Sequence, residues 1–415
     1  MNHQTIKEIQ QERLAEVLPY TLNAVFYKNK IQTHLNDIKG LDPFKLLSKY
    51  PFTYKQEIRS VSHTERTAVP QQEILGYFSS SGSTGEPSVY AWSTYDQEVY
   101  NVIAQRILLG QLGVGPGDVA LLSVPFGMPF SGFGMMAEMQ AVGATFIPFG
   151  LASLDKIARA LIDYSVTILK INPIVASRLI RYIREQDPTI LGKLRLRQIH
   201  LVGYPESPAR HRRLEAEWGV KCYDVYGMSE IGLVAGECHA GDGGQHLCAD
   251  YILAEVVDPV SYQPVPLGDV GVGVYTTLWK KGSPLLRYWS GDYFSMKYET
   301  CSCGSYYPKL FIKGRDVDSA VLGGKRFFVS EIEDILFSDE RIGNEFLVEL
   351  FRKDGRDECL VKVEAQSLSS VRRYIQEKLE DFLGVRVALK FLSHWPANQL
   401  APKPVRIIDK RASEK

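Results

Sequence analysis

At 415 residues the chain is long enough for two or three domains, and its 45% hydrophobic and 23% charged content excludes a disordered, collagen-like or coiled-coil protein. Lys and Arg (48) balance Asp and Glu (48), so a nucleic-acid partner, which would need a basic excess or stripe, is not expected. No run approaches the ~18 apolar residues of a membrane span, and the polar start MNHQTIKEIQQERLAEVL lacks a leader's apolar centre; a cytoplasmic protein without a membrane partner is expected.

Residues 1 to about 60 read as helices with short breaks, closed by Pro51 and the polar run after Lys55. From about 75 to 310, strand-like runs alternate with helical stretches. The runs are VALLSVPF (119–126), ATFIPF (144–149), VTILKI (166–171) and QIHLVG (198–203); the stretches include YDQEVYNVIAQRILLGQL (95–112) and SLDKIARALIDY (153–164). That alternation predicts βαβ units and a largely parallel sheet. Short β-like runs in 250–290 predict a smaller β-rich part. Beyond Gly314-Arg315, FLVELF, CLVKVEA, the amphipathic SLSSVRRYIQEKLEDFLG and VRVALKFL predict a small α+β unit. The expected fold class is α/β. A large N-terminal domain spans 1–315, with mixed sheets, helices and a β-rich subdomain near 235–305; a small C-terminal α+β domain spans 316–415.

Ser79-Ser80-Ser81-Gly82-Ser83-Thr84-Gly85-Glu86-Pro87 lies between two strand-like runs. Hydroxyls and glycines at that density cannot pack a core, but their N–H and O–H groups can wrap phosphate oxygens. No Lys-Ser/Thr follows the glycine, so this is not a Walker A loop. Tyr226-Gly227-Met228-Ser229-Glu230 sets an aromatic face, a hydroxyl and a hard oxygen ligand within five residues. Tyr288-Trp289-Ser290-Gly291-Asp292 ends in a carboxylate suited to a diol. Two further elements follow, Gly314-Arg315-Asp316-Val317-Asp318 and the basic Pro402-Lys403-Pro404-Val405-Arg406-Ile407-Ile408-Asp409-Lys410-Arg411.

In this order the five elements resemble those of the acyl-adenylate-forming superfamily, and most of the chain resembles its phenylacetate–CoA ligase-like branch. LPYTLNAVFYKNK…KYPFTYKQEIR, PFGMPFSGFGMMAEMQAVGATFIPFG (125–150) and GGKRFFVSEIEDIL (323–336) carry the branch resemblance. The resemblance implies ATP held by Ser80, Ser81, Gly82, Ser83, Thr84 and Gly85. Gly203 and Tyr204 would flank the nucleotide and acyl sites, Tyr226 would stack on adenine with Gly227 beside it, Asp292 would hold the ribose hydroxyls, and Arg315 would contact ribose or phosphate. Ser229 would stand near the α-phosphate, Glu230 would hold Mg²⁺, and Lys403 would neutralise carboxylate and phosphate as the adenylate forms. Phe126, Phe130, Phe133 and Gly134 would line the acyl pocket. The chain departs from the pattern at Glu86, where the superfamily has Lys, at Val317, where it has the hinge Asp, and at Pro402, where it has Gly; Asp316 or Asp318 stands in for the hinge residue, or the hinge is altered.

Six cysteines are too few for a disulfide scaffold of this length. Cys238 and His246 in a glycine-rich loop, with Cys301 and Cys303 on a second turn, can supply a tetrahedral site for structural zinc. His239 and Cys248 are spare candidates, and Cys222 and Cys359 read as core residues. The expected reaction is ATP-dependent activation of an aromatic or small carboxylic acid, then transfer to coenzyme A. A carrier protein acting in trans, or an amine, is the alternative acceptor, and a catalytically silent nucleotide-binding relative is the alternative of another class. A monomer or homodimer is expected.

Overall fold

The computed structural model describes residues 3–31, 42–80, 87–241, 243–365, 369–395 and 404–411. Four helices, His3–Thr21, Val25–Ile31, Pro43–Lys49 and Lys55–Ser60, open the chain and pack on the β-rich half of the body through Leu14, Leu18, Tyr27, Leu46, Leu278 and Leu286. A hairpin of strands Ile74–Ser79 and Val89–Ser93 flanks the Ser/Gly loop.

One sheet of eleven strands organises the large unit. Strands Thr145–Ile147, Val119–Ser123, Ile168–Ile171 and Gln198–Leu201 and the first half of Lys221–Met228 run parallel. Residues 168–171 and 198–201 are buried throughout, as strands covered by helices on both faces must be. Helices Phe130–Ala141, Leu154–Asp163, Pro173–Gln186 and Pro208–Trp218 make the crossovers. Their starts are local chemistry. Asn172 accepts from Ile174 N, Ser207 accepts from Arg210 N, and a proline follows each cap.

The second half of Lys221–Met228 pairs antiparallel with Gly232–Gly236, and strands Gln245–Leu247, Lys309–Arg315, Tyr288–Lys297, Gly271–Thr277 and Ile252–Val257 continue from there, all antiparallel. The expectation of a largely parallel sheet is corrected: the β-rich strands extend the same sheet. The physical reason is that one strand serves two partners, a crossover neighbour at residues 221–224 and a hairpin neighbour at 225–228.

The small unit carries a hairpin (Ser319–Leu322, Lys325–Phe328), helix Val329–Phe337 and a four-stranded sheet covered by helix Ser369–Leu383. The sheet runs Val387–Leu392, Arg356–Ala365, Ile342–Lys353 and Ile407–Asp409. Its own core includes Ile332, Phe346, Val348, Val361, Ile375 and Leu379. Among the described residues no helix is long and apolar enough to cross a membrane.

Candidate active site

The turn after Lys221–Met228 lies where the sheet changes from parallel to antiparallel, a place where strands open a crevice at their carboxyl ends. Residue 227 must be glycine, because a Cβ there would lie 2.6 Å from Gly232 O. Ile231 N donates to Met228 O at 3.1 Å and Gly232 takes φ +95°, so the chain reverses tightly and leaves Glu230 buried inside the turn. Tyr288 Oη donates to Glu230 Oε1 at 3.2 Å, Lys55 Nζ stands 3.2 Å from the same oxygen, and Lys280 Nζ donates to Glu230 O at 2.6 Å. Burial lowers the Lys280 ammonium to about 8, against the pull of Asp96 and Glu230.

Tyr226 Oη donates to Asp292 Oδ2. Asp292 is the cross-strand partner of Arg315 in the pairing of Tyr288–Lys297 with Lys309–Arg315, so register alone sets these groups side by side. Burial pushes the Asp292 carboxyl up to about 6, even though the Tyr226 hydrogen bond and the Arg315 charge lower it; Glu230 adds to the rise. Arg315 Nε donates to Asp318 Oδ2 at 2.6 Å, whereas Val317 is 60% exposed. Three elements separated by up to about ninety residues thus converge as Tyr226, Glu230, Asp292 and Arg315.

Ser80 closes the base of the Ser/Gly loop, accepting from Ser88 N at 3.0 Å while its own N donates to Ser88 O at 2.9 Å. Ser81, Gly82, Ser83, Thr84 and Gly85, and Lys403 near the other end, lie outside the described residues. Gly203 takes φ +77° after strand Gln198–Leu201, and Tyr204 is buried. Ser229 is half-buried in the turn. Phe130 is 3% exposed in a ring cluster, 4.3 Å from Trp92, 5.3 Å from Phe78 and 5.5 Å from Tyr100 between centroids; Phe133 lies 4.6 Å from Phe78. Gly134 supports Phe130, since a Cβ would come within 2.6 Å of the ring, and Gly232 abuts Tyr100 in the same way at 2.7 Å. Phe126 rests on Gly132 and Gly150. Phe130 and Gly134 therefore belong to packed core beside the turn, and the half-buried Phe126 and Phe133 flank it. Sequence reasoning missed Lys55 and Lys280. Lys55 lies in the lead-in segment KYPFTYKQEIR and Lys280 in none of the quoted segments, and no periodicity separates either from ordinary lysines.

Cys238, His246, Cys301 and Cys303 bring their ligand atoms within 4.8 Å of one another. The Cys238 and Cys301 sulfurs are 3.6 Å apart and Cys303 Sγ lies 3.4 Å from His246 Nε2. A tetrahedral ion with Zn–S bonds of ~2.3 Å would space its sulfurs by about 3.8 Å. His246 Nδ1 lies 3.1 Å from Tyr307 O, which leaves Nε2 for a metal. His239 faces Gln111 O instead, and Cys248, Cys222 and Cys359 are buried elsewhere.

The fold and these residues define a two-unit α/β protein whose mixed sheet changes from parallel to antiparallel at the candidate site. The sequence pattern of the AMP-binding enzyme matches residues 11–276 and that of the AMP-binding enzyme C-terminal domain matches residues 324–411. The chain belongs to the AMP-binding enzyme family. It is similar to the phenylacetate-coenzyme A ligase of Thermus thermophilus, 28% identical across 93% of this chain and 92% of that protein, and to that of Escherichia coli, 25% identical across 98% and 95%. Among solved structures it superposes on a 2-hydroxyisobutyryl-CoA ligase bound to its acyl-AMP in the postadenylation state, with TM-score 0.87, 25% identity and coverage of 100% and 91%. The same ligase in its thioesterification state, with coenzyme A, gives 0.70 at 25% identity and covers 98% and 90%.

Proposed function

We propose that this protein is an AMP-forming acid–thiol ligase. It activates a carboxylic acid with ATP as the acyl-adenylate and passes the acyl group to coenzyme A. The observation that carries the reading is the convergence of Tyr226, Glu230, Asp292 and Arg315 at the switch strand in a chain related along its length to coenzyme A ligases.

A carboxylate and a triphosphate repel, so the site must supply positive charge and donors where they meet. Asp292 accepts the ribose hydroxyls and Tyr226, held by Asp292, presents its ring to adenine. Arg315 meets ribose or phosphate. Glu230 would hold Mg²⁺, which supplies charge neutralisation at the phosphates. Lys55, already 3.2 Å from Glu230, adds a cation on the same side. Lys403 is assigned to the carboxylate and α-phosphate during the attack that releases pyrophosphate. Phe126 and Phe133 wall the acyl site, which suits an aromatic or small acid. Zinc in the Cys238, His246, Cys301, Cys303 set ties strand Gln245–Leu247 to the turn before Lys309–Arg315 and plays no part in the chemistry. The whole chain superposes better on the 2-hydroxyisobutyryl-CoA ligase in its postadenylation state (TM-score 0.87) than in its thioesterification state (0.70), which supports assigning the present docking to the first half-reaction.

The test is pyrophosphate release with ATP, Mg²⁺ and a panel of phenylacetate, benzoate and 2-hydroxyisobutyrate, each with and without coenzyme A. Coenzyme A-dependent turnover with one acid is expected. Release without thioester formation would move the acceptor to a carrier protein or an amine, and no release with any acid would sink the ligase reading. Lys403→Ala should slow adenylate formation about 100-fold or more, the scale of losing one preorganised charge.

A further inference from the structure

The two units meet through charges taken out of water. Helix Pro208–Trp218 of the large unit aims its N-terminal end at helix Val329–Phe337 of the small unit. Glu333 Oε1 accepts from Ser207 N at 3.2 Å and from Arg210 Nε at 2.8 Å, and its Oε2 accepts from Arg210 Nη2 at 3.0 Å. Asp334 Oδ1 accepts from Ala209 N at 2.8 Å. Two carboxylates of the small unit thus satisfy the open N–H groups of a large-unit helix and meet its positive end. Arg213 returns the favour at the other helix, donating to the carbonyls of Phe337, Asp339 and Ile342 at 3.2, 2.9 and 2.7 Å. The Arg210 and Glu333 side chains are 0% and 1% exposed.

A second bridge runs beside it. Arg178 Nε, on helix Pro173–Gln186, donates to Glu345 Oε1 at 2.7 Å, and Arg406 Nη2 donates to Glu345 Oε2 at 2.7 Å. Arg406 Nη1 also donates to Phe346 O at 2.7 Å. One carboxylate is therefore shared between the large unit and the segment leading into strand Ile407–Asp409. The two bridges touch, because Arg210 Nη1 donates to Ser177 Oγ at 3.1 Å, next to Arg178, and Arg210 Nη2 reaches Asn344 O at 3.4 Å, next to Glu345. Buried ion pairs add little net stability over apolar contacts, but they tolerate one geometry only, since a slipped partner leaves an uncompensated charge. Such contacts suit an interface that must be either fully docked or released.

We propose that Glu345 and Glu333 are positioning residues for adenylate formation: their buried pairs with Arg178, Arg406 and Arg210 hold the small unit in the arrangement used for the first half-reaction and must open before the second. The inference rests on the ligase reading above. It assigns Arg406, three residues from Lys403, to fixing the strand that follows the lysine.

The experiment separates the half-reactions in the full-length enzyme, using the panel acid turned over fastest. ATP–pyrophosphate exchange reports the first, and thioester formation from that acid's synthetic adenylate and coenzyme A reports the second. Glu345→Gln and Arg178→Met should each lower exchange tenfold or more while the thioester step stays within twofold or speeds up. Arg178→Met cuts the bridge from a side chain that is 15% exposed, so it guards against a folding defect in Glu345→Gln. Arg178→Lys should recover part of the exchange. Equal losses in both half-reactions, or unchanged exchange, overturn the proposal. Lys403→Ala run in parallel tells the two claims apart. If it abolishes exchange while Glu345→Gln does not, only the positioning role fails; if it leaves exchange intact, the assignment of Lys403 fails, and the docking claim fails with it.

Discussion

In the role proposed for it, Asp292 couples ribose recognition to acidity. Burial dominates its environment and holds the carboxyl at about 6, above the ordinary 3.8. Because the folded value is raised, the folded state takes up the proton first, so the Asp292 contribution to stability declines as pH rises from 3.8 to about 6. Ribose recognition runs the opposite way, since only the ionised carboxylate accepts both hydrogens of a diol. The KM for ATP should therefore rise as pH falls through about 6 and converge on that of Asp292→Asn, whose own KM stays flat with pH. A wild-type KM that is constant down to about pH 5 would falsify the assignment. The sequence singled out Asp292, Tyr226 and Glu230 because each lies in a short element whose residue types state a chemistry, and the structure brings the three together. Lys55 and Lys280 were not singled out. A lysine becomes informative only through what it faces, and here both face Glu230.

Register and turns, at the scale of elements, decide which motifs meet. Asp292 and Arg315 sit opposite one another because strands Tyr288–Lys297 and Lys309–Arg315 pair in that phase; a slip of one residue would turn Arg315 to the other face. The cysteine set depends on the same kind of placement. His246 is fixed by strand Gln245–Leu247, whose partners are Gly232–Gly236 and Lys309–Arg315, and Cys301 and Cys303 lie on the turn just before the latter. Metal analysis of the purified protein should find about one zinc per chain, and Cys303→Ser should lose it and melt at lower temperature. Full stability without metal would reject the site. The spacing of these four residues suggested a tetrahedral set from sequence, with His239 and Cys248 as spare candidates. The structure chose by turning His239 toward Gln111 and burying Cys248 elsewhere.

For the whole molecule, docking of the two units is the large question, and the Arg210–Glu333 pair is its centre. Removing one member of a fully buried pair strands the other charge, at a cost of about 3–5 kcal/mol. Arg210→Met should lower the melting temperature markedly, and Arg210→Met with Glu333→Leu should recover part of the loss, the remainder being the Ser207 N–H left without its acceptor. If the double variant is no more stable than the single one, the pair is not the coupling element. A second pH effect belongs here. Burial lowers the His211 imidazolium, but its hydrogen bond to Glu206 and that carboxylate's charge outweigh this and raise it to about 9. A raised base stabilises fully below its ordinary 6.5, and the contribution is lost as pH rises through about 9; His211→Asn should flatten the melting profile over that window.

The sequence by itself determined the family and the order of the elements, and it singled out the residues proposed to face the nucleotide, because those depend on local periodicity and on motifs a few residues long. Only the tertiary structure decided that the antiparallel strands extend the parallel sheet, that Asp318 takes the Arg315 contact while Val317 points outward, and that Phe130 belongs to packed core. Only it showed that Arg406, Glu345 and Arg178 form one bridge between the units. Each of these depends on which distant segments come to lie side by side, and pairing across hundreds of residues leaves no local trace in the chain.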